Sequence, residues 1–150
     1  MTQDQIVRVQ DSFRAVLPIR DQAAALFYDR LFTTDPSTRP LFAHVAMKAQ
    51  GDKLMAALGF VVGSLRAPGP MLATVRQLAV RHVAYGVQEA HYASVGEALL
   101  WTLEAGLGAA WTPGYRDAWA AAYAWLSGAM TEAAHGAGPA ARPQVAVVAG

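Results

Sequence analysis

The stretch VRHVAYGVQEAHY, from Val80 to Tyr92, holds the most informative residues of this 150-residue chain. It places two histidines, His82 and His91, on either side of Gly86. Zinc ligands on one helix are spaced i, i+4, whereas these two are nine residues apart and the glycine separates them onto two predicted helices. We therefore do not expect the two imidazoles to share a metal ion.

His82 lies within an apolar pattern. Leu78 precedes it by one helical turn, and Val87 directly follows Gly86. Such a histidine is either a core residue with a hydrogen-bonded ring or a metal ligand, because a neutral imidazole in an apolar wall supplies one nitrogen to iron and apolar contacts to a flat macrocycle. The wall would continue on the next predicted helix with three residues at spacings of three and four, Tyr92, Val95 and Leu99.

Two polar residues earlier in the chain border apolar helical faces. In ALFYDRLF, Tyr28 is either a core aromatic with a satisfied hydroxyl or a hydrogen-bond donor into a cavity. Gln50 shares a face with Leu54 and Leu58, and is either a first-turn surface residue or a second donor. A phenol and an amide beside apolar faces are suited to stabilising a small anionic ligand on iron.

Composition narrows the possible classes of protein. The length fits one domain, and 54% hydrophobic against 15% charged residues, compared with about 25% charged in ordinary domains, allows the chain to enclose a large apolar object. The net charge is +1, and the twelve Lys and Arg are scattered rather than gathered in a run, so nucleic-acid binding is not expected. Cysteine is absent, which excludes disulfides, Cys-ligated zinc, iron–sulfur clusters and thioether-linked haem.

Several familiar sequence signals are missing. There is no Walker loop, GxGxxG, HExxH or GxSxG motif, so nucleotide-binding and hydrolase functions have no support. The longest apolar run, from Leu54 to Leu65, is well short of the roughly 20 residues that span a bilayer. The polar N-terminus has no signal-peptide pattern, and we expect a cytoplasmic protein without a membrane segment.

Apolar periodicity and turn signals predict an all-α domain over residues 1–135, with six or seven helices and no strand. The Gly-, Pro- and Ala-rich tail, residues 136–150, is predicted to be disordered. The helices are expected from Thr2 to the region of Pro18, at about 21–32, as a short helix after Asp35-Pro36, and at 47–66, 71–85, 90–107 and about 113–135, with Thr112 as the last cap.

The segments FYDRLF, PLF, Q-x-x-K-L and RHVAYGVQEAHYASVGEALL together resemble the single-domain bacterial globins related to the haem domain of flavohaemoglobins. The sequence is most similar to thermophilic, acid-tolerant members of that group. The resemblance covers about residues 3–132, and it implies a globin fold around a non-covalent haem b.

The resemblance also implies residue roles. It assigns His82 as the proximal iron ligand and Tyr28 with Gln50 as the distal hydrogen-bonding pair. His91 is then interpreted as a surface residue at the start of a helix. The remaining haem contacts are Phe42 against the haem edge, Leu54 on the distal side, Tyr92, Val95 and Leu99 on the proximal side, and the apolar neighbours Leu58, Leu78 and Val87.

The sequence departs from the flavohaemoglobin pattern in two ways. Where that family places a glutamate near the proximal histidine, the register gives Ala134, and Glu132 is nearby but out of register. Flavin and nicotinamide domains are absent from these 150 residues, so a separate reductase is expected.

Several functions fit this set of residues. The first hypothesis is nitric oxide dioxygenation, in which O2 and NO react to give nitrate. The alternatives are an O2 store, scavenger or sensor, and a nitrite reductase. A haem-free helical sensor or scaffold, with His82 as a core histidine, is the remaining interpretation.

Overall fold

The computed structural model describes residues 1–84 and 86–137, most of which are helical and none of which form a strand. The prediction of an all-α domain with six or seven helices is confirmed. Short 3-10 segments cover Leu17–Ile19, Pro36–Phe42 and Gly108–Ala110. The six α-helices are α1 (Gln3–Val16), α2 (Arg20–Thr34), α3 (Met47–Gly63), α4 (Pro68–Ala84), α5 (Glu89–Leu107) and α6 (Pro113–Ala137).

Side-chain caps define the start of several elements. The Thr2 hydroxyl accepts a hydrogen bond from the Gln5 backbone N–H at 3.1 Å, and the Gln5 side-chain oxygen Oε1 accepts one from the Thr2 backbone N–H at 2.9 Å. The predicted cap at Asp35 accepts from the Ser37 N–H, and the predicted cap at Thr112 accepts from the Tyr115 N–H. These caps satisfy backbone donors that have no partner within the helix.

The turn between α3 and α4 is shifted from its predicted position. α3 ends at Gly63, three residues before the predicted Arg66, and α4 begins at Pro68, three residues before the predicted Met71. Proline is tolerated in a first helical turn because its missing N–H would have no intrahelical partner there. Pro68 and Pro70, which lie between the two predicted helices, therefore belong to α4.

Helix pairs, rather than layers, build the core. α1 and α4 pack against α6, and α2 packs against both α5 and α3. The apolar stripe of α1 is buried as its spacing predicts, at Ile6, Val9 and Phe13. Since α3 packs mainly on α2 and α1 while α4 packs mainly on α6, the two helices stand apart and a cavity lies between them.

The described part of the chain ends with α6, at residue 137. The predicted C-terminal tail lies outside the described residues, except that residues 136 and 137 extend α6. Within the described ranges, no helix has both the length and the apolar character needed to cross a membrane.

Candidate functional site

An apolar cavity lies between α3 and α4, with about 160 Å³ open to the centres of water-sized spheres. Its wall comes from all six helices and from the segment Pro36–Phe42. Most of the lining side chains are aliphatic or aromatic, and the few polar groups are therefore conspicuous. They include Tyr28 from α2 and His82 from α4. We call Tyr28, together with Gln50 of α3 that contacts it, the distal wall, and His82, together with Leu78 of the same helix, the proximal wall.

The distal wall contains a buried hydrogen bond between two side chains. The amide Nε2 of Gln50 donates to the hydroxyl oxygen of Tyr28 at 3.3 Å. Only 1% of Gln50 and 5% of Tyr28 is exposed, so the alternative of a first-turn surface position for Gln50 is wrong. Because the Tyr28 oxygen accepts from Gln50, the phenolic hydrogen remains available for an acceptor in the cavity.

A close approach of two helices brings this pair together. A Cβ at Gly51 would lie 2.9 Å from the Cβ of Ala24, a separation that real Cβ atoms essentially never show. Ala24 is one helical turn before Tyr28, and Gly51 is next to Gln50. The missing side chain at Gly51 therefore lets α3 approach α2 closely enough for the amide to reach the phenol.

Burial keeps the Tyr28 phenol in its donor form. Desolvation raises the pKa of Tyr28 to about 12, against the smaller lowering effect of the Gln50 hydrogen bond. The ring is also held by aromatic neighbours, since Phe27 and Phe42 lie edge-on to it with ring centroids 4.9 and 5.2 Å away. The hydroxyl is thus a neutral, positioned donor throughout the physiological pH range.

A backbone contact orients His82 in the proximal wall. The Nδ1 of His82 lies 2.6 Å from the carbonyl oxygen of Leu78, one turn earlier in α4. A carbonyl can only accept, so Nδ1 carries the hydrogen and the neutral ring has its lone pair on Nε2. Desolvation lowers the pKa of His82, which favours this neutral form. A neutral imidazole with one nitrogen oriented by a carbonyl is a common arrangement of metal-ligating histidines.

The structure brings nearly all of the residues predicted from the sequence to this cavity. The exception is Gln50, which lies behind Tyr28, so that the two predicted donors are arranged one after the other. The ligand roles themselves remain predictions. The predicted residues that line the cavity are Tyr28, Phe42, Leu54, Leu58, Leu78, His82, Val87, Tyr92, Val95 and Leu99.

His91 lies at the start of α5 as predicted, but it is only half-exposed and it also lines the cavity. Its Nδ1 accepts a hydrogen bond from the Gln88 backbone N–H at 2.9 Å, which caps the helix. Its Nε2 is 3.4 Å from the Ser37 hydroxyl. The sequence analysis missed this contact because Ser37 is 54 positions away along the chain.

The sequence analysis expects Ala134 at the position where flavohaemoglobins have a glutamate. Ala134 is half-buried, and the neighbouring Glu132 is exposed. On the same helix, α6, the hydroxyl of Tyr123 donates to the carbonyl oxygen of Tyr92 at 2.6 Å, and a Cβ at Gly96 would lie only 2.7 Å from the Tyr123 ring. Cavity-lining residues on α6 that the sequence analysis did not identify include Trp119, Ala122, Tyr123 and Met130.

Comparison with known proteins agrees with the helical fold and the apolar cavity described above. The Globin family model matches residues 25–130. The Flavohemoprotein of Bordetella pertussis is 38% identical over 103 residues, which is 67% of this chain and 26% of that protein, so the chain spans about a quarter of that relative's length. Leghemoglobin 2 of Sesbania rostrata is 28% identical over 143 residues, covering 88% of this chain and 97% of the relative.

A solved structure is similar over almost the whole chain. It is an engineered carbene transferase made from a Rhodothermus marinus protein whose name reads "putative nitric oxide dioxygenase". The TM-score is 0.81 at 27% identity, covering 91% of this chain and 94% of the other.

The cavity fits the cofactor that the sequence implies. A flat, apolar macrocycle matches the apolar lining, and His82 offers an imidazole with its lone pair on Nε2. The predicted haem is confirmed at the level of the family, because globins are haem proteins. By its sequence and its fold, the chain belongs to the globin family.

Proposed function

We propose that this chain binds haem b non-covalently through His82 and acts as a nitric oxide dioxygenase that converts NO and O2 to nitrate. The observation that carries the proposal is the buried pair of Gln50 and Tyr28, which presents a neutral O–H donor to the cavity. The absence of cysteine excludes thioether attachment, and the apolar lining suits a non-covalently held macrocycle. The name of the Rhodothermus marinus relative is consistent with this activity.

Ferrous haem, when bound, supplies the site for O2 and the one electron that the conversion of NO and O2 to nitrate consumes. The residues of the chain do the remaining work. Tyr28 donates a hydrogen bond to the ligand atom on which negative charge develops, and Gln50 holds the phenol in the orientation for that bond. The Leu78 carbonyl fixes the ring of His82, and the apolar wall excludes water.

Each reaction consumes one electron, so sustained turnover needs an electron donor. We infer that a reductase, separate from the residues described, returns the haem to its ferrous form. Because the resemblance gives Ala134 at the position where flavohaemoglobins have a glutamate near the proximal histidine, we expect re-reduction rather than the cavity to limit turnover.

The test is a single turnover in a stopped-flow instrument. The oxygenated ferrous protein is mixed with one equivalent of NO, and the ferric spectrum and nitrate are measured. We expect ferric protein and nitrate in equal amounts in one fast phase, while continuous activity scales with added reductase. Survival of the oxygenated form would contradict the proposal.

Reversible O2 binding is the second candidate, for storage, scavenging or sensing. The observation that favours it is the contact of the Leu78 backbone carbonyl with Nδ1 of His82 in the proximal wall, at 2.6 Å. A carbonyl makes the imidazole a weaker electron donor than a carboxylate does. Nitrite reduction by the ferrous form uses the same distal donors, and nitrite consumption without O2 would distinguish it.

A further inference from the structure

The segment Pro36–Phe42 separates part of the cavity from solvent. Thr38 and Phe42 are buried and line the cavity, whereas Ser37 is exposed. On one side the segment packs against α2. On another it meets the start of α5, where His91 also lines the cavity. We call the boundary between this segment and the start of α5 the seam, and movement of the segment away from α5 would open the cavity wall there.

Two side-chain contacts cross the seam. The carboxylate of Asp35, which directly precedes the segment, accepts a hydrogen bond through Oδ2 from the Ser94 hydroxyl of α5 at 2.6 Å. Its other oxygen, Oδ1, accepts from the hydroxyl and from the backbone N–H of Ser37. The Ser37 hydroxyl oxygen in turn lies 3.4 Å from Nε2 of His91. We call Asp35, Ser37, His91 and Ser94 the seam cluster.

The hydrogen bonds of the seam cluster all lead to the Asp35 carboxylate. Nδ1 of His91 accepts from the Gln88 backbone N–H, so the hydrogen of the neutral ring is on Nε2, towards the Ser37 oxygen. Hydrogen bonds from Ser37 and from Ser94 lower the pKa of Asp35, so the carboxylate is ionised at neutral pH. Hydrogen bonds to an ionised acceptor are stronger than those between neutral groups.

The Pro36–Phe42 segment depends on its neighbours for its position. It is a 3-10 helix, whose hydrogen-bond geometry is poorer than that of an α-helix, and two of its seven residues are prolines without a backbone N–H. On the α2 side, the ring of Phe42 packs against Tyr28 with centroids 5.2 Å apart. On the α5 side, the seam cluster supplies hydrogen bonds. Breaking the cluster should therefore release the segment at the seam while it stays attached to α2.

We propose that Asp35 is a positioning residue for the cofactor, which holds the Pro36–Phe42 segment against the cavity through the seam cluster and so slows the loss of haem. The segment contributes Thr38, Leu41 and Phe42 to the cavity wall, so its movement would remove contacts from the macrocycle and admit water. Water can replace exposed hydrogen bonds at a small net cost, so we expect the seam to open transiently before the apolar core does. The inference goes beyond the proposed function, because it requires haem but not the reaction of NO with O2.

The experiment measures haem loss from the ferric haem-loaded protein to an excess of a haem-scavenging apoprotein. Ser94→Ala removes the contact of Asp35 with α5 and leaves the bonds between Asp35 and Ser37 in place. We expect haem loss to become about three- to tenfold faster, the factor that corresponds to one net hydrogen bond. Alanine has a higher helix propensity than serine, so a weaker α5 could not explain this result. A rate equal to that of the parent would overturn the proposal.

Glu97→Ala is the matched control. Glu97 lies one turn after Ser94 on α5, and its salt bridge with Arg30 at 2.7 Å joins α5 to α2 without involving the segment or the cavity lining. This variant should change the rate of haem loss less than twofold. An acceleration equal to that of Ser94→Ala would overturn the proposal, because it would show that any loosening of α2 from α5 releases haem.

Hydrogen exchange of the haem-loaded proteins locates the change. The backbone amides of residues 36–42, including the Thr38 N–H that donates to the Asp35 carbonyl, should exchange faster in Ser94→Ala than in the parent or in Glu97→Ala. Faster haem loss with unchanged exchange in this segment would contradict the proposal, because haem would then leave without movement at the seam. None of these measurements uses NO, so their failure is distinguishable from failure of the dioxygenase assay.

Discussion

The distal and proximal walls of the cavity hold their polar groups in different ways. On the distal side, Gln50 and Tyr28 come from two helices, and their contact depends on the close approach of Gly51 to Ala24. On the proximal side, His82 is oriented by a carbonyl of its own helix. The distal arrangement is thus tertiary and the proximal one local, and we expect substitutions to act on them differently.

The largest expected effect is on the proximal side, from His82→Ala. Losing a residue that only orients a metal ligand typically weakens metal binding by about 10- to 100-fold. Removing the ligand itself should weaken haem binding by more than that. The five-coordinate ferrous spectrum should disappear and return when imidazole is added, because imidazole can fill the space left by the side chain. An unchanged spectrum would mean that another residue binds the iron.

Tyr28→Phe should give the next largest effect. It removes the donor to a ligand that carries negative charge, at a cost of about 1.5 to 3 kcal/mol, and should speed O2 release by roughly ten- to a hundredfold. CO carries less negative charge, so its release should change much less. Equal effects on both gases would indicate a steric role for the ring.

The pH dependence of O2 release follows from the pKa of Tyr28. Burial raises this pKa to about 12, so the phenol stays protonated and the O2 release rate should be constant from pH 6 to pH 10. A phenolate could no longer donate a hydrogen bond. Release that accelerates towards pH 10, in the parent protein but not in Tyr28→Phe, would show that the pKa is lower than the burial of the ring implies.

These two walls also show what the sequence could and could not predict. The apolar spacing around His82 is a local pattern that is compatible with a core histidine or with a residue on a cavity wall, and the resemblance to bacterial globins decides between them. The structure places His82 on the wall. The order of Gln50 behind Tyr28 depends on the distance between α2 and α3, and no periodicity within one helix contains that information. The contact of His91 with Ser37 was missed for the same reason.

Gly51→Ala tests whether the distal wall requires the close approach of α3 to α2. The added methyl group would overlap Ala24, and relieving this overlap should cost about 1 to 3 kcal/mol in the free energy of unfolding, measured by urea denaturation. Gly63→Ala is the matched control, because nothing lies within 4 Å of a Cβ at that position. Equal stability of the two variants would show that α3 can shift without loss.

The smallest expected effect comes from Gln50→Leu, and it distinguishes the two possible arrangements of the donors. If Gln50 acts through Tyr28, its removal should cost about 0.5 to 1.5 kcal/mol and speed O2 release by roughly two- to tenfold, less than Tyr28→Phe does. In the Tyr28→Phe background the same substitution should have almost no further effect, because the group that Gln50 orients is already absent.

A double-mutant cycle of O2 release rates measures this coupling directly. Two donors that reach the ligand independently would give additive effects, and the double variant would release O2 at the product of the two accelerations. The buried contact of 3.3 Å between Gln50 Nε2 and the Tyr28 hydroxyl predicts strong non-additivity instead. Additive effects would mean that ligand binding turns the amide into the cavity, so that the distal wall works as two separate donors.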